Sequence, residues 1–421
     1  LVGSEMCIRD RDIANEKFWP IKDKISSLKL RGSYGIVGND QIGDAMKDRF
    51  FYLSNVNLSD SGWGYTFGEL FNYSKPGISI NRYPNELIGW EKSKQMNLAI
   101  DLVGMGFTVT AEYFTQYRNN ILMGRSYIPN TMGLTAQVQA NIGEAFNQGV
   151  DLSMKYQKNF MNGLWLEGQF NFTYAHNEMR VVDEPGYPIN EWYRSSIGRT
   201  ANANIGLIAE RLFIDKADVA NSPEQGFGEY MAGDIKYKDM NGDGKITDDD
   251  NVCMGFPNVP EINYGFGASM GWKNIDFSFF FTGVGRRSFM INPGNITPFH
   301  INGGNQNGLL EVIAEDHWSE DNRDIYAFWP RLASKIIDNN NRGSSWWLRN
   351  GRFLRLKSLE VGYTIPEKLF TKCGLRNLRL YLNASNLFVI SKFKMWDPEM
   401  AGNGLGYPIQ RVFNIGLMIG I

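Results

Sequence analysis

Ten short stretches of the chain alternate apolar and polar residues with period two. The last of them shows the pattern most clearly, with one face formed by Phe413, Ile415, Leu417, Ile419 and Ile421. Period two is the period of a β-strand that has one apolar side. In a soluble sheet, a second layer would have to cover that side. No helical pattern follows to cover it, so we predict an all-β chain, an antiparallel transmembrane β-barrel whose apolar face contacts lipid.

The other nine stretches predict strands that contain Leu28, Leu98, Phe107, Val150, Leu166, Tyr264, Ile275, Leu354 and Leu378. Tight turns join several of them in pairs, for example at 104–106. The phase of the alternation slips at Ser358, which predicts a β-bulge. We expect the ten strands to form an open, curved sheet with unpaired edges near Leu28 and Ile421, which the rest of the wall would pair in an intact parent protein.

The alternation also assigns side chains to the two faces of the sheet. We predict that the lipid-facing side includes Phe170, Phe172, Phe277, Phe279 and Phe281. The lumen-facing side should include Glu167, Gln169, Asn171 and Asp276.

The connections between the predicted strands alternate in length. Short ones fall at 104–106, 158–163, 272–274 and 364–377, and long ones at 36–93, 118–146, 176–261, 285–352 and 388–410. Short periplasmic turns opposite long extracellular loops are typical of outer-membrane barrels. A soluble β-sandwich is the alternative, but it would not usually carry five long loops on one side.

Composition excludes several classes of protein. Lys and Arg number 43 and Asp and Glu 45, so the net charge of −2 gives no basic surface for nucleic acid. Cys7, Cys253 and Cys373 have no paired spacing, which predicts neither a disulfide framework nor a zinc site. The sequence contains no G-x-S-x-G, H-E-x-x-H or phosphate-loop motif, and we predict no enzymatic activity.

The beginning of the chain differs from the remainder. No signal peptide is visible, and the first ten residues match nothing that follows. We therefore predict that residues 1–11 are a non-native or unstructured leader. Residues 12–421 would form the barrel portion of a longer protein.

Several blocks of sequence together resemble a known family. They are 30–35 with Gly38-Asn39, 90–95, 141–144 with Asn147 and Gly149, 237–244, 353–357 with Gly362-Tyr363, 383–388, 397–399 and 407–408. In this order and spacing they are similar to the C-terminal part of the SusC/RagA-type TonB-dependent outer-membrane transporters of Gram-negative bacteria. The resemblance covers nearly the whole chain after the leader.

The resemblance implies a barrel of 22 strands with a plugged lumen. It also implies import of an oligosaccharide, or of a peptide, together with a SusD-like surface lipoprotein and powered by TonB. The plug domain and the TonB-contacting segment of the family lie N-terminal to the matched part and are missing here. The chain would then supply about ten C-terminal strands of the barrel wall, in contact with membrane lipid.

One local motif predicts a metal site. Residues 239–250 match the calcium-loop template at four positions, with Asp239, Asn241, Asp243 and the turn residue Gly244. The Lys245 carbonyl and Asp250 would complete a structural Ca²⁺ site, although Asp is a shorter ligand than the usual Glu. The alternative is a solvated acidic turn in which Asn and Gly are favoured for backbone reasons.

The tryptophans of the long loops have two interpretations. Trp318, Trp329, Trp346, Trp347 and Trp396 could stack against sugars at the extracellular mouth, or they could pack the loops or anchor an aromatic girdle. We favour packing. The alternative function for the whole chain is a calcium-stabilised all-β surface binding protein without a channel.

Overall fold

One antiparallel sheet of eleven strands forms the wall of the structure. The computed structural model describes residues 5–21, 23–40, 50–302, 305–366, 377–404 and 406–420. The strands are β1 (Glu5–Asp12), β2 (Ile25–Asn39), β3 (Glu91–Gly104), β4 (Phe107–Gly124), β5 (Gln139–Asn159), β6 (Leu164–Val181), β7 (Ile262–Trp272), β8 (Ile275–Gly285), β9 (Phe353–Thr364), β10 (Asn377–Ser391) and β11 (Val412–Gly420). Each pairs with the strands before and after it, so this wall sheet is a simple meander.

All ten predicted strands are present, as β2 to β11. The predicted bulge is confirmed as well. Phe280 pairs with Ser358 and Phe281 with Leu356, so Lys357 is the extra residue on β9. The predicted edge near Ile421 is β11, although Ile421 itself lies outside the described residues.

The predicted edge near Leu28 is wrong, because the preceding segment adds a strand. Glu5 to Asp12 pair with Ile36 to Lys29 of β2, which contradicts an unstructured leader over residues 5–11. Asp12 caps the short turn that reverses the chain by accepting a hydrogen bond from the Ala14 N–H. The physical reason is that the edge of β2 offers a row of unpaired backbone groups, which a preceding segment can satisfy whatever its side chains. That this segment is non-native sequence stays a prediction.

The register separates two faces across the whole sheet. A polar row runs from strand to strand through Glu167, Ser269, Ser278, Glu360, Asn383 and Asn414. A parallel apolar row runs through Met154, Phe170, Phe266, Phe281, Leu356 and Phe388. The rings of Phe266 and Phe281 stack with centroids 5.1 Å apart. The separation of Phe170 and Phe281 from Glu167 therefore follows the prediction.

The strands differ in how far they extend toward the long loops. β8 has 11 residues, close to the roughly 9–11 that cross a bilayer, whereas β5 has 21. The connection between β4 and β5 is correspondingly shorter than predicted, because both strands continue into the segment 118–146. Strands β4 to β6 thus extend beyond the apolar band on the long-loop side.

The long loops contain their own short strands and helices. Strand pairs outside the wall are Asn55–Phe67 with Tyr73–Arg82, Asn204–Gly206 with Val252–Met254, Ala209–Leu212 with Ile235–Tyr237, Glu224–Gln225 with Lys245–Ile246, Ser288–Met290 with Leu348–Asn350, and Ile301–Asn302 with Asn305–Gln306. The α-helices are Lys216–Ala220, Pro293–Ile296 and Glu311–Glu315. The 3-10 helices are Ile13–Asn15, Asn130–Met132, Ile189–Arg194, Asp248–Asp250, Asn339–Asn341 and Pro398–Met400. None of the helices in these residues is long and apolar enough to span a membrane.

The main buried core lies in the loops rather than in the wall. Segments from the three loops that follow β6, β8 and β10 pack into a loop assembly, whose fully buried members include Leu207, Ile235, Ile313 and Trp347. These side chains come from positions far apart in the chain. Of the three cysteines, Cys7 and Cys253 are free, and Cys373 lies outside the described residues.

Candidate functional site

The polar face of the wall sheet carries ion pairs that cross several strands. On β10, the Arg379 Nη2 donates to Glu360 on β9 at 2.7 Å, and its Nε donates to Asp276 on β8 at 3.1 Å. On β2, the Arg31 Nε lies 2.6 Å from an Asp101 oxygen of β3. Because charged side chains are costly against lipid, this face suits a water-filled lumen.

The tryptophans of the loop assembly pack its core. Trp318 and Trp329 are each 5% exposed, and Trp347 is fully buried. The rings of Trp329 and Trp347 lie 5.1 Å apart, and the Trp347 indole N–H donates to the Asn340 carbonyl at 2.8 Å. Trp346 and Trp396 are partly buried against the same core. The structure thus confirms the packing interpretation over sugar stacking.

A buried arginine joins the wall sheet to the last long loop. Arg355 lies on β9 at the long-loop end and is 2% exposed. Its Nη2 lies 2.6 Å from both carboxylate oxygens of Asp397, and its Nε lies 3.1 Å from Glu399. Asp397 also caps the turn Pro398–Met400. Sequence reasoning missed this cluster. The available signal was an arginine inside the otherwise apolar start of a strand, Phe353-Leu354-Arg355-Leu356.

Two carboxylates of the loop assembly have pKa values shifted in opposite directions. The hydrogen bonds from Arg211 hold the pKa of Asp218 well below its usual range. A hydrogen bond from Lys236, together with its charge, lowers this pKa further. Burial raises the pKa of Asp234, although Arg331 lies 2.9 Å from it. Asp218 therefore favours the folded state at neutral pH, and that contribution is lost as the pH falls through its lowered folded-state pKa.

The predicted metal residues lie in two groups within the acidic loop, residues 239–250. In the first group, Asp239 accepts hydrogen bonds from the Gly242 and Gly244 N–H groups at 2.6 and 2.8 Å. Asp243 accepts from the Lys245 N–H and from the Asn241 side-chain amide. Gly244 has φ +83°, the left-handed conformation that its turn requires.

The second group is Asp250, which is fully buried. Its two oxygens accept from the Met240 and Thr247 N–H groups, each at 2.8 Å. Burial, together with the charge of Asp250, raises the pKa of Tyr193. Backbone amides therefore donate hydrogen bonds to every carboxylate of the predicted set. Among the described residues, no group of three or more His, Cys, Asp or Glu side chains is arranged so that it could hold a metal ion. Calcium binding stays a prediction.

Comparison with known proteins identifies the family to which this fold belongs. Residues 57–387 match the family model described as TonB dependent receptor-like, beta-barrel. The chain belongs to the TonB-dependent receptor family. This is a family of outer-membrane β-barrel transporters rather than enzymes, as the sequence predicted.

Relatives of SusC/RagA type match nearly the whole TonB-dependent receptor chain. It is 25% identical to TonB-dependent receptor P26 of Formosa agariphila over 444 residues, covering 97% of this chain and 41% of P26. It is also 25% identical to TonB-dependent receptor SusC of Bacteroides thetaiotaomicron, covering 97% of this chain and 39% of SusC. The receptor chain described here thus spans about two fifths of the length of these relatives.

A solved structure shows the same fold. The RagAB peptide importer in its open-open state matches with a TM-score of 0.71 and 22% identity, covering 99% of this receptor chain and 42% of the importer chain. The eleven-stranded antiparallel sheet is therefore part of a TonB-dependent receptor barrel.

Proposed function

We propose that this chain is part of a longer TonB-dependent transporter that imports a nutrient across the outer membrane. The observation that carries the proposal is the wall sheet, whose polar and apolar faces stay separate through every strand pair from β5 to β11. An apolar outer face and a charged inner face are what a barrel needs between lipid and a water-filled passage. The packed loop assembly would form the outer mouth of that passage.

The nutrient in this proposal is an oligosaccharide or a peptide. The resemblance of the sequence to SusC/RagA-type transporters supports this range, and the RagAB structure is described as that of a peptide importer. The proposed partners are a SusD-like surface lipoprotein, which would meet the long-loop side, and TonB. TonB would act through a part of the protein N-terminal to these residues.

Uptake measurements test the proposal. A strain that lacks the full-length protein should lose uptake of one labelled nutrient pool, either an oligosaccharide mixture or a peptide mixture. Restoring the gene should restore uptake, and dissipating the proton gradient should abolish it again. Unchanged uptake of both pools in the deletion strain would contradict the proposal.

The alternative without a channel is a calcium-stabilised surface binding protein. Its wall sheet would be covered by protein and would not need detergent. The purified full-length protein should therefore separate the two functions. A transporter should precipitate when detergent is removed, and a binding protein should remain in solution.

We further propose that the acidic loop binds one structural Ca²⁺. Carboxylate and carbonyl oxygens are the ligands that Ca²⁺ prefers, and an oxygen that accepts one amide hydrogen keeps a second lone pair. Asp239, Asn241, Asp243, Asp250 and the Lys245 carbonyl form the proposed ligand set. The ion would hold the turn between Ile235–Tyr237 and Lys245–Ile246 in place.

Calorimetric titration checks this site. Ca²⁺ added to the full-length protein should release binding heat, which Asp243→Ala should remove because it deletes the ligand at template position 5. Asp249→Ala is the matched control, since Asp249 occupies a non-ligand position of the template and is paired with Arg194. Absence of heat in the natural protein, or equal heat with Asp243→Ala, would support the simple acidic turn.

A further inference from the structure

A cavity of about 680 Å³ lies within the loop assembly, away from the wall strands and the acidic loop. Its lining comes from four separate segments, at 214–217, 231–232, 317–323 and 331–332. The volume lies within the roughly 300–1,000 Å³ typical of sites for small ligands. Of the side chains described in the candidate site, Trp318 and Arg331 line this cavity.

One part of the cavity is apolar. Ile214, Met231 and Leu332 line it, and the first two are 39% and 53% exposed. Exposed aliphatic side chains around a concave site favour a ligand that buries apolar surface of its own.

The single Trp, Tyr or Phe ring among the lining residues is not available for sugar stacking. Trp318 is 5% exposed. The backbone of Gly233 lies against its ring so closely that an added Cβ would come within 2.3 Å of it. Oligosaccharides commonly bind by placing their C–H faces on an open aromatic ring. The cavity offers aliphatic side chains instead.

The lining also carries charges of both signs. Lys216, Arg323 and Arg331 are the cations, and Asp215 and Glu320 are the anions. Arg331 is already paired with the buried Asp234 at 2.9 Å. Lys216 makes no ion pair with any residue in the described ranges. Arg323 has an exposed ion pair with Glu320 at 3.4 Å and donates a hydrogen bond to the Glu320 carbonyl at 3.3 Å.

From these contacts we propose that the cavity binds a short peptide with an apolar side chain and a free carboxylate. The apolar side chain would lie against Ile214, Met231 and Leu332. The carboxylate would be held by Lys216 and Arg323, and a peptide amino group by Asp215 or Glu320. This inference rests on the proposed transport function and narrows its nutrient to a peptide.

Direct binding to the full-length protein tests the site independently of transport. The probes are trileucine, trileucine amide and maltotriose, titrated by calorimetry. Trileucine should bind, and maltotriose should release no heat at the same concentration. Ala217→Trp should fill the cavity from the helix Lys216–Ala220 and weaken trileucine binding at least about tenfold, as expected for a blocked pocket. Ala220→Trp is the matched control, because Ala220 is also exposed on the same helix and does not line the cavity.

A charge reversal tests the carboxylate contact. Lys216→Glu should weaken trileucine binding by about fivefold, the scale of an exposed ion pair, and should leave trileucine amide unaffected. Equal weakening by Ala217→Trp and Ala220→Trp would overturn the site, as would maltotriose binding that competes with trileucine. Loss of a copurifying lipoprotein in Ala217→Trp with trileucine binding intact would also overturn it. Trileucine binding to a protein whose deletion leaves uptake of both nutrient pools unchanged would reject the proposed function and leave the binding site standing.

Discussion

Replacing Arg355 with alanine should lower the free energy of unfolding of the full-length protein by about 3–5 kcal/mol, the cost of breaking a buried ion pair from one side. Arg355 is 2% exposed and lies within 2.6 Å of both Asp397 oxygens. Its removal leaves Asp397 and Glu399 close together without a cation. Chemical denaturation in detergent, followed by tryptophan fluorescence, would measure the change.

The neighbouring arginine provides the control. Arg352 is exposed immediately before the same strand, and Arg352→Ala should change the free energy of unfolding by no more than about 0.5 kcal/mol. Arg355→Met combined with Asp397→Asn and Glu399→Gln should recover part of the loss, because no unpaired charge remains. A loss as large for Arg352→Ala, or none for Arg355→Ala, would show that this cluster does not hold the last loop.

The second large effect should come from a charge placed on the apolar face. Phe279 lies in the middle of β8, opposite Ala268 and Leu359, with Phe277 and Phe281 each 5.9 Å from its ring. Phe279→Lys should cost about 2–4 kcal/mol if the residue faces the bilayer midplane. Folding into lipid vesicles, followed by heat-modifiable migration on gels, would report it.

Asn171→Lys is the matched comparison for the opposite face. Asn171 lies on the polar side of β6, opposite Ser153 and Gly265, where water would solvate the added charge. Its cost should be small. Equal losses for Phe279→Lys and Asn171→Lys would contradict the assignment of lipid and lumen to the two faces.

The strands of the wall sheet could be predicted because the alternation of apolar and polar residues within each strand reflects its two environments. The alternation around Phe277 and Asp276 is visible within a few residues and needs no knowledge of the partner strand. β1 escaped prediction because it joins the sheet through backbone groups of β2. The strand Asn55–Phe67 was missed because its pairing with Tyr73–Arg82 is interrupted three times, which breaks the period-two pattern.

The loop assembly could not be predicted in the same way, since its contacts join distant segments. The Ala209 N–H donates to the Ser345 hydroxyl, and the Tyr237 hydroxyl donates to the Asn339 carbonyl, across more than a hundred residues each. No periodic pattern in the sequence predicts such long-range hydrogen bonds. The turn at Gly244 could be predicted because turn residues act locally. The backbone amides that donate to the carboxylates around it could not be predicted.

The odd number of strands in the wall sheet restricts how it can be completed. In an antiparallel meander of eleven strands, β1 and β11 run in the same direction, so joining them directly would create a parallel pair. All-antiparallel closure therefore requires an odd number of additional strands, consistent with the even totals of bacterial outer-membrane barrels. Deleting residues 5–12 would leave ten strands, whose terminal members run in opposite directions. Such a shortened chain would be a starting point for engineering a self-closing miniature pore.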